Sequence, residues 1–305
     1  MTNRHREFFA FAKERHQIHI NREAGLSRSS WTEDAILSKY RFTNVFRELD
    51  RTTVWFREMV RDPVLRTQTE FDQLLGTILF RTFNRIETGE AIFCQITLLD
   101  SKMLMTPWAM RWEQTTSEWI HTLRTAIYNQ CRPGPYVTGA YIVKTPDMMT
   151  KLNGALWIIE QAERRLEATL AAPDPVGGST RTLEGLHKQL CTYPYLGGFT
   201  AYEIVSDLRW LPILESAPDI LTWAHAGPGA KRGVNRVLGR DKNHSVKQDE
   251  CLTVMEMLLA LSRTWDMWPQ HWPAWEMREV EHTLCEWDKY ERVRLGEGRP
   301  RGVYR

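Results

Sequence analysis

Two stretches of this chain carry side chains at spacings that could do chemistry. In Phe42-Thr43-Asn44-Val45-Phe46-Arg47-Glu48-Leu49-Asp50-Arg51, an amide, two guanidinium groups and two carboxylates fall close together. Drawn as a helix, the segment puts Val45, Phe46, Leu49, Thr53 and Phe56 on one side and Asn44, Arg47, Glu48 and Arg51 on the other. That polar side is either plain solvated surface or a wall able to hold an anion and move a proton. Near the C-terminus, Glu281, Cys285, Asp288 and Arg292 recur at helical steps along the border of a Val280, Leu284 and Trp287 stripe. Carboxylates and a thiol half inside a helical seam read as a pocket wall rather than a solvated face. Cys285 has the chemistry of a nucleophile, but His282 sits on the same helix and no independent triad is evident, so a small core cysteine is the preferred reading.

The elements that must position these groups are helical, which predicts an all-α fold. Phe8, Phe9 and Phe11 mark an amphipathic helix over residues 4–15. Ser30 and Glu33 form a capping box, with Thr32 as a competing cap, before a helix carrying Ile36, Leu37 and Tyr40. Further helices follow over 70–125, with Leu74, Leu75, Ile78 and Leu79 buried, and from a Thr145 cap and Pro146 to about Leu170, interrupted only by Gly154. Tyr141-Ile142-Val143 is a short strand or simply extended. The Pro/Gly-rich stretch 171–179 suggests lobes over 1–170 and 180–305, unless the two form one continuous domain. A helix over Gln248–Arg263 buries Val254, Met257, Leu258 and Leu261, and the last helix spans Glu276–Arg292. Between them, Trp265, Trp268, Trp272 and Trp275 either close the core or stack on an extruded base, and core packing is the preferred role.

A length of 305 residues allows a sizeable core, and the 13 Trp are an unusual supply of aromatic surface for it. The net charge of +2 does not by itself argue for nucleic acid. Local clusters do more: Lys231, Arg232, Arg236, Arg240 and Lys242 crowd one loop and helix, and Arg292, Arg294, Arg299, Arg301 and Arg305 crowd the C-terminus. The five cysteines are scattered without metal-ligand pairing, as reduced thiols would be, and no apolar run is long enough to cross a membrane. The expectation is a cytosolic protein with no metal site of its own.

Around Tyr193-Pro194-Tyr195-Leu196-Gly197-Gly198-Phe199-Thr200-Ala201, helical spacing on both sides predicts two short helices about a tight turn, with Gly197 and Gly198 supplying positive dihedrals. Backbone amides at the start of the second helix would suit one DNA phosphate. Pro194, Gly197, Thr200 and Ala201 stand as in the hairpin of the helix-hairpin-helix DNA glycosylases, which this stretch resembles. The glycosylases' closing Asn-Arg-x-x-Gly is present as Asn235-Arg236-Val237-Leu238-Gly239, but their catalytic Asp falls where Ala226-Gly227-Pro228-Gly229 stands, and the lyase Lys is replaced by Phe199. Glycosidic-bond chemistry therefore lacks its residues, and a glycosylase is the least favoured reading.

Trp31-Thr32-x-Asp34 followed by Phe42-Thr43-Asn44-Val45-x-Arg47-x-x-Asp50-Arg51 resembles the helical domain of phage thymine-hypermodification proteins. These comprise the helical part of 5-hydroxymethyluracil DNA kinases, the amino acid:DNA transferases and the alpha-glutamyl or putrescinyl thymine pyrophosphorylases. Asn84-Arg85-Ile86-Glu87-Thr88, the loop Ala226 to Gly233, and Glu281-His282-x-Leu284-Cys285-Glu286-x-Asp288-Lys289-Tyr290 extend the resemblance over nearly the whole chain.

The resemblance implies a transferase that replaces the diphosphate on an activated 5-hydroxymethyluracil in double-stranded DNA with an amine from an amino acid or putrescine. The base would be flipped out of the duplex. On this reading Asn44, Arg47 and Arg51 face base and leaving group, Gly227, Gly229, Lys231 and Arg232 form an anion-binding loop, and Asp50, Glu87 or Glu281 is the base. Gly197, Gly198, Thr200, Asn235, Asp288 and Lys289 complete the substrate and DNA contacts. Pairing of Arg47 with Asp50 as a purely structural ion pair is the bland alternative. Mg2+ could accompany the diphosphate, although no Asp cluster demands it. No Gly-x-x-x-x-Gly-Lys-Ser/Thr loop is present, so a partner kinase is expected, and a non-catalytic module that binds modified DNA is the rival reading.

Overall fold

The computed structural model describes residues 3–99, 103–139, 144–300 and 302–304. The fold is all-α, apart from a hairpin whose backbone pairs Thr97–Leu99 with Met103–Met105 antiparallel. Tyr141 to Val143, where a strand or extended segment was expected, lie outside the described residues. The chain divides into two compact units: the chain up to Asp50 together with that from Asp219 onward, and Arg51–Pro218. The division does not follow the Pro/Gly stretch 171–179, which lies inside the second unit. There Asp174 accepts hydrogen bonds from the Val176, Gly177 and Thr182 backbone N–H groups, making an ordered turn rather than a linker.

The discontinuous unit is built around α12 (Met277–Arg294), which packs against α10 (Pro228–Val237), α11 (Gln248–Leu261), α1 (Asn3–Glu23) and α2 (Ala35–Lys39). A reciprocal capping box starts α12: Glu276 caps the N3 backbone and the Glu279 carboxylate accepts from Glu276 N at 3.0 Å. Met277, Val280, Leu284 and Trp287 form its apolar stripe. Phe8 meets Trp275 and Trp287 edge-on at 5.9 and 5.7 Å, and Trp268 packs 5.0 Å from Trp275, so these tryptophans belong to the core; Trp265 is 83% exposed.

Several helix limits differ from expectation. α1 runs past residue 15 because Ile18 continues its buried face, and it ends where Gly25 takes φ +73° and Leu26 N reaches back to Asn21 O. Asp34, rather than Ser30 or Thr32, caps α2 by accepting from Ile36 N and Leu37 N. α11 buries Met255 and Leu259 in place of Met257, which is exposed. Residues 42–46 are not helical: they lead into a single 3-10 turn, Arg47–Leu49, before Asp50. Gly227 to Arg232 is not a loop but the N-cap and opening turns of α10, with Pro228 preset for the first helical position. Glycines at 229 and 233 let α10 approach α12 closely, since a Cβ on them would meet Cys285 Sγ and the Leu284 carbonyl.

The second unit centres on α4 (Glu70–Phe83), capped by Thr69 and buried on nearly every face. It packs against α7 (Lys151–Ala171) and α9 (Gly198–Leu208), while α3 (Arg51–Phe56) stacks Phe56 on Phe80 at 4.3 Å. α5 (Ile86–Gly89) also touches α4, α6 (Thr116–Cys131) packs on α7 and α5, and α8 (Leu183–Leu190) packs on α9. α7 starts at Lys151 with Thr150 as its cap, not at Pro146, and Gly154 leaves the space that Thr145 fills. α8 and α9 do form a helix pair about 191–197, but the left-handed residue of the turn is Tyr195 (φ +64°); Gly197 is extended and Gly198 helical.

Candidate functional site

α12 places three different polar settings on one rigid element. The first faces the extended segment 42–46. Thr43 N donates to Glu286 Oε2 at 3.0 Å, and Thr43 Oγ1 lies 2.7 Å from His282 Nε2. Lys289 Nζ donates to Glu286 at 2.7 Å and sits 5.3 Å from the centre of the Phe42 ring. These long-range bonds explain why the segment is not a helix: its backbone groups are satisfied by side chains brought from elsewhere.

Asn44, 7% exposed, locks the end of the segment. Its N and Nδ2 donate to Asp50 Oδ1 at 2.9 and 3.1 Å, and Nδ2 also donates to Leu49 O. Its own Oδ1 accepts from Arg15 Nη2 at 2.7 Å, while Arg15 Nε and Nη2 donate to Phe42 O. Arg15 is 3% exposed, and its Nη1 is buried with no hydrogen-bond partner.

Charge in this cluster is tuned by burial. Desolvation pushes Asp50 up to about 6, although the Asn44 N–H, Arg47 and Arg15 all pull the other way. Desolvation drives His282 well below its ordinary value, helped by Arg47, Lys289, Arg278 and Arg15, so the ring stays neutral near pH 7. Arg47 thus acts electrostatically on both groups. Together they offer a carboxylate that can exchange a proton near neutrality, a neutral imidazole, and cations for a departing anion. Glu281, 9% exposed on α12, raises the pKa of Cys285, which burial, Glu281 and Glu286 push up to about 12. A thiol so held is no nucleophile, in agreement with its contact with Gly229.

The second setting surrounds Asp288, which is fully buried. Its Oδ1 accepts from Arg236 Nε at 2.9 Å and its Oδ2 from Arg232 Nε at 2.8 Å, with Arg292 Nε 3.3 Å away. Asp288 therefore holds arginines rather than facing a ligand. Asn235, 1% exposed, donates to the Lys242 and His244 carbonyls and pins the following loop, so it too is internal. Lys231 is half-buried in α10, and Gly227 is its N-cap, with no side chain to bond the first N–H groups.

The third setting is a cleft of about 840 Å3. Glu7, Glu14, Glu33, Asp34 and Glu291 line it against the single guanidinium of Arg294, with Trp31 and Tyr290 among its walls.

The remaining sequence candidates belong to the Arg51–Pro218 unit. Arg51 is exposed and near enough to Glu87 to lower its pKa. Glu87 is held low first by its own backbone N–H and then by Arg85, which donates to it at 2.9 Å, the character of an ionised surface pair. Gly197 caps α9 with no side chain to bond its first N–H groups, leaving those of Gly198 to Thr200 outside the intrahelical pattern that begins with Ala201 N to Gly197 O. Thr200 is half-buried in that first turn and Phe199 is 54% exposed.

Among the described residues, no three His, Cys, Asp or Glu side chains converge as metal ligands. Arg15 and the pairing of Arg236 with Asp288 escape sequence reasoning because their partners lie far along the chain, as does the bond that joins Thr43 to Glu286; Arg292 and Asp288, four residues apart, are a local pair.

A family model described as the 5-hmdU DNA kinase helical domain matches residues 2–299. The chain is also similar to a 5-hmdU DNA kinase of Bacillus phage SP10, with 25% identity, over 75% of this chain and 35% of that protein. It spans well under half the length of that curated relative. No solved structure matches. Among the described residues, no helix is long and apolar enough to cross a membrane.

Proposed function

Because the chain belongs to the 5-hmdU DNA kinase helical-domain family, we propose that it hypermodifies thymine-derived bases in DNA, transferring an amine onto the 5-methylene of a diphosphate-activated 5-hydroxymethyluracil. A C–N bond forms, the C–O bond to the diphosphate breaks, and the amine's proton passes to a carboxylate. The observation that carries this reading is that the segment bearing Thr43, Asn44, Arg47 and Asp50 is held on the His282, Glu286 and Lys289 face of α12. Asp50 is the base, since a pKa of about 6 leaves it ionised at neutral pH yet able to take a proton. Arg47 meets the leaving diphosphate or a uracil carbonyl, while the buried Arg15 holds the Asn44 amide in place. Glu281 shapes the site from the neighbouring face of α12. The start of α9, where the N-cap is a glycine, holds the DNA backbone as a helix-hairpin-helix would.

Of the two donor classes, the cleft favours a polyamine. Its carboxylates outnumber its one lining guanidinium, and aromatic walls attract an ammonium further. The partners are thus modified duplex DNA, a polyamine and a kinase that supplies the activated base. Pyrophosphate release from activated DNA tests the reaction: it should require both protein and amine and favour putrescine over glutamate. Release that ignores the amine would refute transfer.

A rival reading, a non-catalytic module that binds modified DNA beside a kinase, is favoured by coverage, since the chain matches 35% of a relative named as a kinase. Tight binding without a new nucleoside would select it.

A further inference from the structure

Asp288 and the arginines around it are not needed for the proton chemistry at Asp50, yet they are among the most organised charges in the molecule. A fully buried carboxylate must be compensated, and one arginine would suffice. Asp288 instead gathers three, two of them bonded through Nε at 2.8 and 2.9 Å. Bonding through Nε leaves the paired Nη groups of a guanidinium to point away from the carboxylate. Arg236 turns its Nη2 to Glu297 at 2.5 Å, and Lys242 Nζ also reaches Glu297 at 2.9 Å. Arg232 and Arg292 are different: their side chains are 31% and 35% exposed. Arg292 Nε is buried without a hydrogen bond. Four cations against two carboxylates leave the cluster with a net charge of +2.

We propose that Arg232 and Arg292, aimed by Asp288, form a clamp for phosphate oxygens. Arg232, on α10, is fixed through its Nε, and Arg292, on α12, is drawn to the same buried carboxylate at 3.3 Å, so two half-exposed guanidinium groups are held side by side with less freedom to lose on binding. Asp288 is the positioning residue of this clamp. The shared chemistry is a phosphate anion, supplied either by a phosphodiester of the DNA backbone or by free diphosphate. The inference adds a phosphate site to the transferase reading but does not depend on turnover, because both of its readouts are binding.

The test compares the wild-type protein with the double variant Arg232→Gln/Arg292→Gln and with a charge-matched control, Arg240→Gln/Arg299→Gln, at two exposed arginines. Binding of a short DNA duplex is followed by fluorescence anisotropy across a salt series, and pyrophosphate binding by calorimetry. If the clamp holds the DNA backbone, the salt slope of the clamp variant falls by roughly 2 and that of the control by clearly less. If it holds free diphosphate, pyrophosphate affinity falls about tenfold or more in the clamp variant alone, while the DNA slope is kept. Equal losses in both variants, or no loss in either ligand, overturn the proposal. Asp288→Asn adds a second check where it folds, since loosened arginines should weaken the same ligand. Clamp-dependent binding with no nucleoside product would sink the transferase reading and leave the clamp standing.

Discussion

Asp50→Asn should make the protein more stable at neutral pH and catalytically dead. The carboxyl is raised from 3.8 to about 6 in the folded state despite the pull of Arg47, Arg15 and the Asn44 N–H, so burial outweighs those attractions. Two pH units correspond to ~3 kcal/mol, and the partial exposure of the residue reduces the expected gain to roughly 1–3 kcal/mol. The amide keeps the native geometry, since its Oδ1 can still accept from Asn44 N and Nδ2. A raised carboxyl pKa makes ionisation cost the fold. That cost is absent below pH 3.8, grows through the window from 3.8 to about 6 and is complete above it. Urea unfolding of both proteins at pH 7.5, 6 and 4.5 measures the effect. The gain should be full at pH 7.5, slightly smaller at pH 6 and down to about a third at pH 4.5. A variant that is less stable by the same amount at every pH would show that Asp50 is an ionised partner in a structural pair, and the assignment of the base would fall with it.

Arg47→Ala should abolish turnover with the melting transition kept, because Arg47 acts on Asp50 and His282 from a single 3-10 turn in which no residue is fully buried; full activity would remove it from the mechanism. The rate of amine transfer at saturating DNA should rise about tenfold per pH unit up to about 6 and show no further histidine limb, since His282 stays neutral. Gly233→Ala should cost roughly 2–3 kcal/mol, because its Cβ meets the Leu284 carbonyl, which is backbone and cannot swing aside. Asp207→Asn should cost about 3–5 kcal/mol in the other unit by stripping Arg81 of a carboxylate that Arg81 Nη2 reaches at 2.7 Å; thermal unfolding checks both.

The helical class and the stripes of α4 and α12 were legible because their apolar residues repeat at helical spacing and their caps are local. The segment 42–51 was not. Its pattern suits a helix, but Asn44 and Asp50 bond the nearby backbone, and Glu286 and His282 hold it from the other end of the chain. α10 was obscured for the opposite reason: Gly227, Pro228 and Gly229 read as a loop, yet proline suits a helix start and Gly229 makes room for Cys285. Asn44, Arg47 and Asp50 stood out by residue type, whereas Arg15 could be found only once α1 was seen to pass behind Phe42. The division of the chain was hidden because one unit is assembled from both ends, and no composition shift marks Asp50 or Asp219.

Nucleoside mass spectrometry tests the central claim most directly. Purified protein is incubated with DNA containing 5-hydroxymethyluracil, with and without a 5-hydroxymethyluracil DNA kinase and ATP, in the presence of mixed amino acids and polyamines. A new nucleoside is expected that depends on the kinase and whose added mass equals one polyamine less water. An unchanged nucleoside profile, with DNA binding confirmed on the same sample, would contradict it.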